Sequence, residues 1–236
     1  MTVVGIIPAR AGSKRLPGKA LLPLAGRPLL AHTCAAAVES GVLSAVYVNT
    51  DCPRIAAAGQ AAGVECPALR PAALAADDTP TRDSNLFLLD VLTRRGERYD
   101  AVMVLQPTSP LRTAEDIRSA WALFREQAPC EVYSVSPVAP QSWLGLVKSD
   151  GGFERWQGAQ TVHRLNGAIY IHPWAHYVEG RPATPVAYIM PTTRGVDIDT
   201  RDDLALAEFL LARGPTSGPA AREVQPNHEI GFVRSS

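Results

Sequence analysis

Short apolar runs rich in β-branched residues recur along the chain, with helix-length segments between them. No other feature restricts the fold as much. Val3 to Ile7 is such a run, closed by Pro8, and reads as a strand buried on both faces. Val42 to Val48, Ala101 to Leu105, Val132 to Val138, Ala168 to Ile171 and Val186 to Met190 read as further strands. Helices are predicted over Leu29 to Val38, over the Ala-rich residues 53–62, over 84–95 and over Ala114 to Gln127. A last helix starts at Asp199 or Thr200 and runs through Leu211. Thr113, with Asp116 three residues on, has the pattern of a capping box. Strand and helix alternate, which implies βαβ units, a mostly parallel sheet and an α/β fold.

Ligands on such sheets bind beyond the carboxyl ends of the strands. The segments 8–19, 49–51 and 106–112 all begin at such ends, so they are where chemistry is expected. The first is the most informative. It sets Arg10, Lys14, Arg15 and Lys19 around Gly12 and Ser13. Cations and a glycine in a strand-end loop suit a polyphosphate, whose charge they offset while backbone N–H groups approach it. A solvated basic turn is the plainer alternative. The loop is not a Walker A motif: the Gly spacing is wrong, and Ala20 stands where Ser or Thr would meet magnesium. It is not GxGxxG either.

Composition narrows the field. Lys and Arg total 23, as do Asp and Glu, and this balance argues against a nucleic-acid binder. Hydrophobic residues make up 46% of the 236, as in a globular chain. The length suggests one domain with an appendage. No apolar run approaches the ~18 residues of a membrane span, and the start lacks the basic segment of a signal peptide. Cys34, Cys52, Cys66 and Cys130 have neither metal-site nor disulfide-framework spacing. The cytoplasm is the expected compartment. Residues 139–166 mix Gly, Trp, Gln and charge, which suggests a hairpin or arm. Residues 214–236 are rich in Gly, Pro, Ser and Arg and are expected to form a flexible tail after a domain of residues 1–213.

The motif IIPARAGSKRLPGK (6–19) resembles the signature loop of the CMP-sugar synthetases, the acylneuraminate cytidylyltransferase family. LRPAALAADDTPT (69–81), LQPTSPLRTAEDI (105–117), RLNGAIYI (164–171) and VDIDTRDDLALAE (196–208) resemble that family's later blocks, in its order. The resemblance covers about residues 2–211. It implies a three-layer Rossmann-like nucleotidyltransferase fold with a protruding dimerisation arm at 139–166. Trp143 and Trp156 are possible anchors of a homodimer, with local packing as the plainer role. Arg155 or Arg164 is a candidate to complete the neighbour's pocket.

The implied reaction is attack of an acceptor oxygen on the α-phosphorus of CTP, with loss of pyrophosphate and help from Mg2+. By resemblance Arg10, Lys19 and Gln106 are catalytic. Ala9, Arg10, Gly12, Ser13, Lys14, Lys19, Arg70, Thr79, Thr81, Gln106, Pro107 and Thr108 bind the nucleotide. Arg70 alone would read as a surface residue, and Ser109 to Arg112 as a turn and cap. Asp197 and Asp199 share a face of an extended segment, as a metal pair requires. A helix-capping pair is the alternative. Asp202 and Asp203 read as N-terminal helix charges. Retention of Lys19, Gln106 and both aspartates argues against a non-catalytic nucleotide-binding protein.

Departures from the family pattern cluster in the acceptor half. Ala20 replaces a frequent Asn. Residues 140–145 carry no cation before Lys148. Residues 155–160 keep only part of a basic motif, and His163 replaces an aromatic residue. Arg155, Gln157, His163, Arg164 and Asn166 are the acceptor candidates, His163 being equally readable as a structural histidine. A sialic-acid-like keto-sugar acid is the first expectation for the acceptor. A small phosphonate such as phosphonoformate is the alternative, with Arg155, Arg164 and Lys148 as its cations, and Kdo or another nucleotide sugar follows.

Overall fold

The computed structural model describes residues 1–128, 130–138, 144–147, 149, 152–155, 162–181 and 185–214. Expectations for Trp143, Lys148, Trp156, Gln157 and the tail beyond Gly214 fall outside these residues.

The strands are β1 (Val3–Pro8), β2 (Pro23–Leu24), β3 (Arg27–Pro28), β4 (Ala45–Asn49), β5 (Ala101–Val104), β6 (Glu131–Pro137), β7 (Gly145–Val147), β8 (Phe153–Arg155), β9 (His163–Pro173) and β10 (Pro185–Ile189). The helices are α1 (Leu29–Ser40), α2 (Pro53–Ala61), α3 (Thr81–Arg94), α4 (Ala114–Gln127), α5 (Trp174–Glu179) and α6 (Arg201–Ala212). The central sheet has the order β10-β6-β9-β5-β1-β4. β1 pairs in parallel with β4 and β5, and β6 with β10. β9 alone runs against its neighbours β5 and β6.

The side-chain alternation of β1 shows why the sheet is the middle layer. Val3 and Ile7 enter one apolar cluster with Leu30 and Phe124, from α1 and α4. Val4 and Ile6 enter another with Leu88 and Leu92, from α3. β5 divides likewise, with Met103 in the first cluster and Val102 and Val104 in the second. With a period of two, both faces of a strand are apolar only if both are covered. That accounts for the unbroken hydrophobic run in the sequence.

The capping box of α4 is present as read: the Thr113 side chain accepts from the Asp116 N–H, and Asp116 accepts from the Thr113 N–H. Thr200 and Asp203 form a second box on α6, so Asp203 is a helix cap. Other boundaries shift. β4 begins at Ala45, because Ser44 leaves the turn by bonding Val3 through both its N–H and its Oγ. α3 begins at Thr81, directly after Pro80. His163 to Asn166, in the stretch read as an arm, open β9, and His163, Arg164 and Leu165 pair with β6. The rest of that stretch does supply a hairpin, β7 against β8. Helix α5 and the β2–β3 hairpin were not anticipated.

Candidate active site

The loop after β1 leaves the sheet edge under backbone control. Ala9 N–H donates to the Asn49 carbonyl at 2.9 Å, and Ala11 N–H to Asp51 Oδ1 at 3.1 Å. Gly18 has φ +67°, the left-handed conformation that glycine adopts without cost, and it turns the chain into a short helical turn over Lys19–Leu21. Lys19 thereby points back across the cleft. Its Nζ lies 2.9 Å from Asp199 Oδ1 and 2.8 Å from the Ile198 carbonyl.

A cavity of about 460 Å³ opens beyond the carboxyl ends of β1 and β5, and residues 49–51 after β4 do not line it. Ala9, Arg10, Ser13, Lys14, Lys19, Arg70, Thr79, Thr81, Gln106, Pro107, Thr108 and Asp199 all line it. Gly12 lines an adjoining hollow on the outer side of the loop. Residues far apart in sequence therefore converge on one volume, as the strand-end argument required.

Arg70 is not the surface residue its sequence context suggests. Its N–H holds the Thr50 carbonyl at 2.9 Å, and its side chain is 4% exposed. Its Nε has no hydrogen-bond partner among the described residues, and burial pulls its pKa below the ordinary value. Asp51 is 3.8 Å away. A buried guanidinium this poorly paired is available to a ligand acceptor.

The acidic pair divides its work. Asp199 lines the cavity and receives Arg15 at 2.7 Å as well as Lys19. Asp197 does not line the cavity and is hydrogen-bonded through its side chain to Thr108. Burial, with the nearby Asp199 charge, pushes its pKa up. Asp197 Oδ1 is buried and has no hydrogen-bond partner among the described residues. A desolvated, unpartnered carboxylate oxygen beside a second carboxylate is a donor set that fits a hard divalent cation such as Mg2+. The neighbouring segment is fixed by Ile198 N–H donating to the Thr108 carbonyl at 2.7 Å.

Gln106 is held from behind. Arg112 is 3% exposed and donates through Nη1 to the carbonyls of Ala168, at 2.6 Å, and Gln106, at 3.3 Å. Desolvation pulls the Arg112 pKa down to about 10. This segment is therefore more than a turn and a cap. Gly167 has φ +73°, and a Cβ there would lie 3.6 Å from Gln106 Oε1.

The acceptor candidates are not brought into this cavity. Arg155 is exposed on β8, and Arg164 is exposed on β9, donating to the Gly195 carbonyl at 3.4 Å. His163 is half-buried at the start of β9. Asn166 does not line the cavity and is hydrogen-bonded within the fold. Its Oδ1 accepts from Ser134 Oγ at 2.6 Å and from Ala168 N–H at 3.1 Å, and its Nδ2 donates to Ser136 Oγ at 3.0 Å. Only 2% of it is exposed.

Asp77 was missed. It lines the cavity between Arg10 and Lys14, 2.9 Å and 2.7 Å away. The signal was an acidic pair, Asp77 and Asp78, in the block that also holds Arg70, Thr79 and Thr81. No cysteine lines the cavity, none of the four is bridged, and burial pushes the Cys34 thiol up to about 12.

Residues 4–162 match the family model described as cytidylyltransferase. This chain belongs to the cytidylyltransferase family. It is 35% identical over 226 residues to the CMP-N,N'-diacetyllegionaminic acid synthase of Legionella pneumophila, covering 89% of this chain and 97% of that one. It is 33% identical over 218 residues to the N-acylneuraminate cytidylyltransferase of Streptococcus agalactiae, covering 86% of this chain but only 52% of that longer one. Among solved structures, the cytidylyltransferase chain is similar to a CMP:2-keto-3-deoxy-manno-octonic acid synthetase complexed with CTP. The TM-score is 0.69 at 20% identity, over 90% of this chain and 99% of that one. That likeness shows the shared nucleotidyltransferase fold. No helix among the described residues is long and apolar enough to cross a membrane.

Proposed function

We propose that this cytidylyltransferase transfers CMP from CTP to a sialic-acid-like keto-sugar acid and releases pyrophosphate. One observation carries the proposal: a single strand-end cavity unites the cationic loop, Arg70, Gln106 and Asp199. The relatives similar along the chain are named for legionaminic acid and N-acylneuraminate. They lend no support to the phosphonate alternative.

Arg10, Lys14 and Lys19 would take the triphosphate oxygens, with Ser13 and backbone N–H groups of the loop beside them. Lys19 is suited to follow the departing pyrophosphate, because a flexible ammonium tracks a moving anion better than a fixed fork does. Gln106 would donate its amide N–H to an α-phosphate or acceptor oxygen without adding charge. Arg70, Thr79 and Thr81 would hold the cytosine and ribose. Asp197 and Asp199 would hold Mg2+, which when bound offsets phosphate charge. Positioning and electrostatics then supply most of the rate.

Arg155, Gln157, His163 and Arg164 lie off the cavity or outside the described residues. We extend the proposal to a homodimer in which Arg155 or Arg164 of one protomer completes the acceptor side of its partner's cavity. Unbridged thiols fit a reducing compartment, and the cytoplasm is part of the same reading.

The test is pyrophosphate release with Mg2+, across the four ribonucleoside triphosphates and an acceptor panel. The panel holds N-acetylneuraminate, legionaminate, pseudaminate, Kdo and phosphonoformate. Release with CTP and a sugar acid is expected. Release only with phosphonoformate, or only with another nucleotide, overturns the proposal. CTP binding without any release returns the non-catalytic reading.

A further inference from the structure

The cations of the phosphate loop do not stand bare in the cleft. Arg15 and Lys19 share Asp199, a candidate metal ligand. Arg10 and Lys14 share Asp77, a carboxylate with no part in the chemistry above. Asp77 lines both the main cavity and the hollow behind the loop. It sits just after a short helical turn, Ala72–Ala75, that buries none of its residues. The same segment is tied to the loop where Arg10 Nη1 donates to the Ala76 carbonyl at 3.0 Å. The Lys14 hydrogen bond, with the Arg10 charge, holds the Asp77 carboxyl below the usual carboxylate range, so it stays charged at neutral pH.

A phosphate oxygen needs the same N–H donors that Asp77 now occupies. Two anions cannot both sit in contact with one ammonium and one guanidinium without repelling each other. Removing the carboxylate would therefore leave the donors free and delete a like charge.

We propose that Asp77 is a positioning residue that competes with the polyphosphate for Arg10 and Lys14, and so hastens the release of pyrophosphate. In the empty cleft its carboxylate fixes the two cations where a triphosphate will need them. It yields them when the nucleotide enters and reclaims them as pyrophosphate leaves. The exchange involves ion pairs only, and no covalent bond changes. The proposal rests on the triphosphate reading of the cavity.

The experiment compares wild type, Asp77→Asn and Asp77→Glu as full chains with Mg2+. Calorimetry gives the Kd of CTP and of pyrophosphate, and steady-state kinetics gives product inhibition by pyrophosphate. Asp77→Asn should bind pyrophosphate about two- to fivefold more tightly, the scale of one exposed ion pair. The gain should shrink as salt rises. Asp77→Glu keeps the charge and should resemble wild type. A merely structural role would weaken binding in the Asn variant, so unchanged or weaker binding overturns the proposal. If wild type binds neither CTP nor pyrophosphate, the triphosphate reading itself falls and takes the proposal with it. Wild-type binding with no tightening in Asp77→Asn removes the proposal alone.

Discussion

Two acidic centres of this molecule use the same chemistry to opposite ends. Asp116 has a side chain 1% exposed and accepts from Arg194 Nε and Nη2, both at 3.0 Å, from the Tyr188 hydroxyl at 3.0 Å, and from Thr113. Asp77 and Asp199, at the mouth of the cleft, are 40% and 33% exposed and hold their cations by single contacts. The buried centre ties α4 to β10 and to the segment before α6, and nothing else can take its place. The cleft pairs lie where water and phosphate compete for every bond. Exposed pairs add little to stability, but they can be exchanged.

Breaking the buried centre should give the largest effect. Asp116→Ala strands a half-buried Arg194 and uncaps α4. It should cost about 3–5 kcal/mol and lower Tm by about 10 °C or more, read by thermal denaturation. A loss below about 1 kcal/mol would place Asp116 with the exchangeable pairs. Lys19→Ala tests the other side. The expected result is a fall in kcat of about 10²- to 10³-fold, with Tm within about 2 °C of wild type. A large drop in Tm with modest loss of rate would make the Lys19–Asp199 pair structural and end the contrast.

The same division explains what the sequence made legible. Thr113 with Asp116 is a local pattern, and both bonds of the box form as read. The runs of β1 and β5 announce a sheet covered on both sides, because composition alone records two-faced burial. The cationic loop was legible because strand-end position and charge coincide. The reversed direction of β9 was not, since it depends on pairing with β5 and β6, which are distant in the chain. Helix α5 has six residues, too few for a period to show. The block containing Asn166 was recognisable, yet resemblance says nothing of whether a side chain faces a ligand or a pair of serines. Asp77 escaped because its role depends on where the tertiary fold sets it, between Arg10 and Lys14.

Arg112 sharpens the comparison from between the two centres. It is as buried as Asp116, yet it serves the cleft by holding the Gln106 carbonyl. Arg112→Met removes that tether together with a desolvated cation whose pKa is already drawn down to about 10. Loss of bonds and relief of desolvation should nearly offset each other in stability. Activity should fall about tenfold, the scale of a misplaced group near reacting atoms. The split is checked by kcat and Tm on one preparation. Equal losses in both would make Arg112 a fold residue only.

Asp197 gives the smallest effect on stability and the most direct one. Its burial raises the folded-state pKa above that of the unfolded chain. The folded protein therefore holds the proton over a window where the unfolded chain has released it. Between the unfolded carboxylate value and the raised folded one, stability falls as pH rises, and the deficit persists at neutral pH. Asp197→Asn removes the deficit. Without metal, the variant should melt higher than wild type at neutral pH. The gap should close as pH is lowered through that window. The same variant should lose most of its Mg2+ binding by calorimetry and most of its activity. A carboxylate kept against its own contribution to stability is one that the site requires, which sets Asp197 apart from Asp116. Should Asp197→Asn destabilise the metal-free protein at neutral pH, its carboxylate would belong with the buried centre that holds the fold.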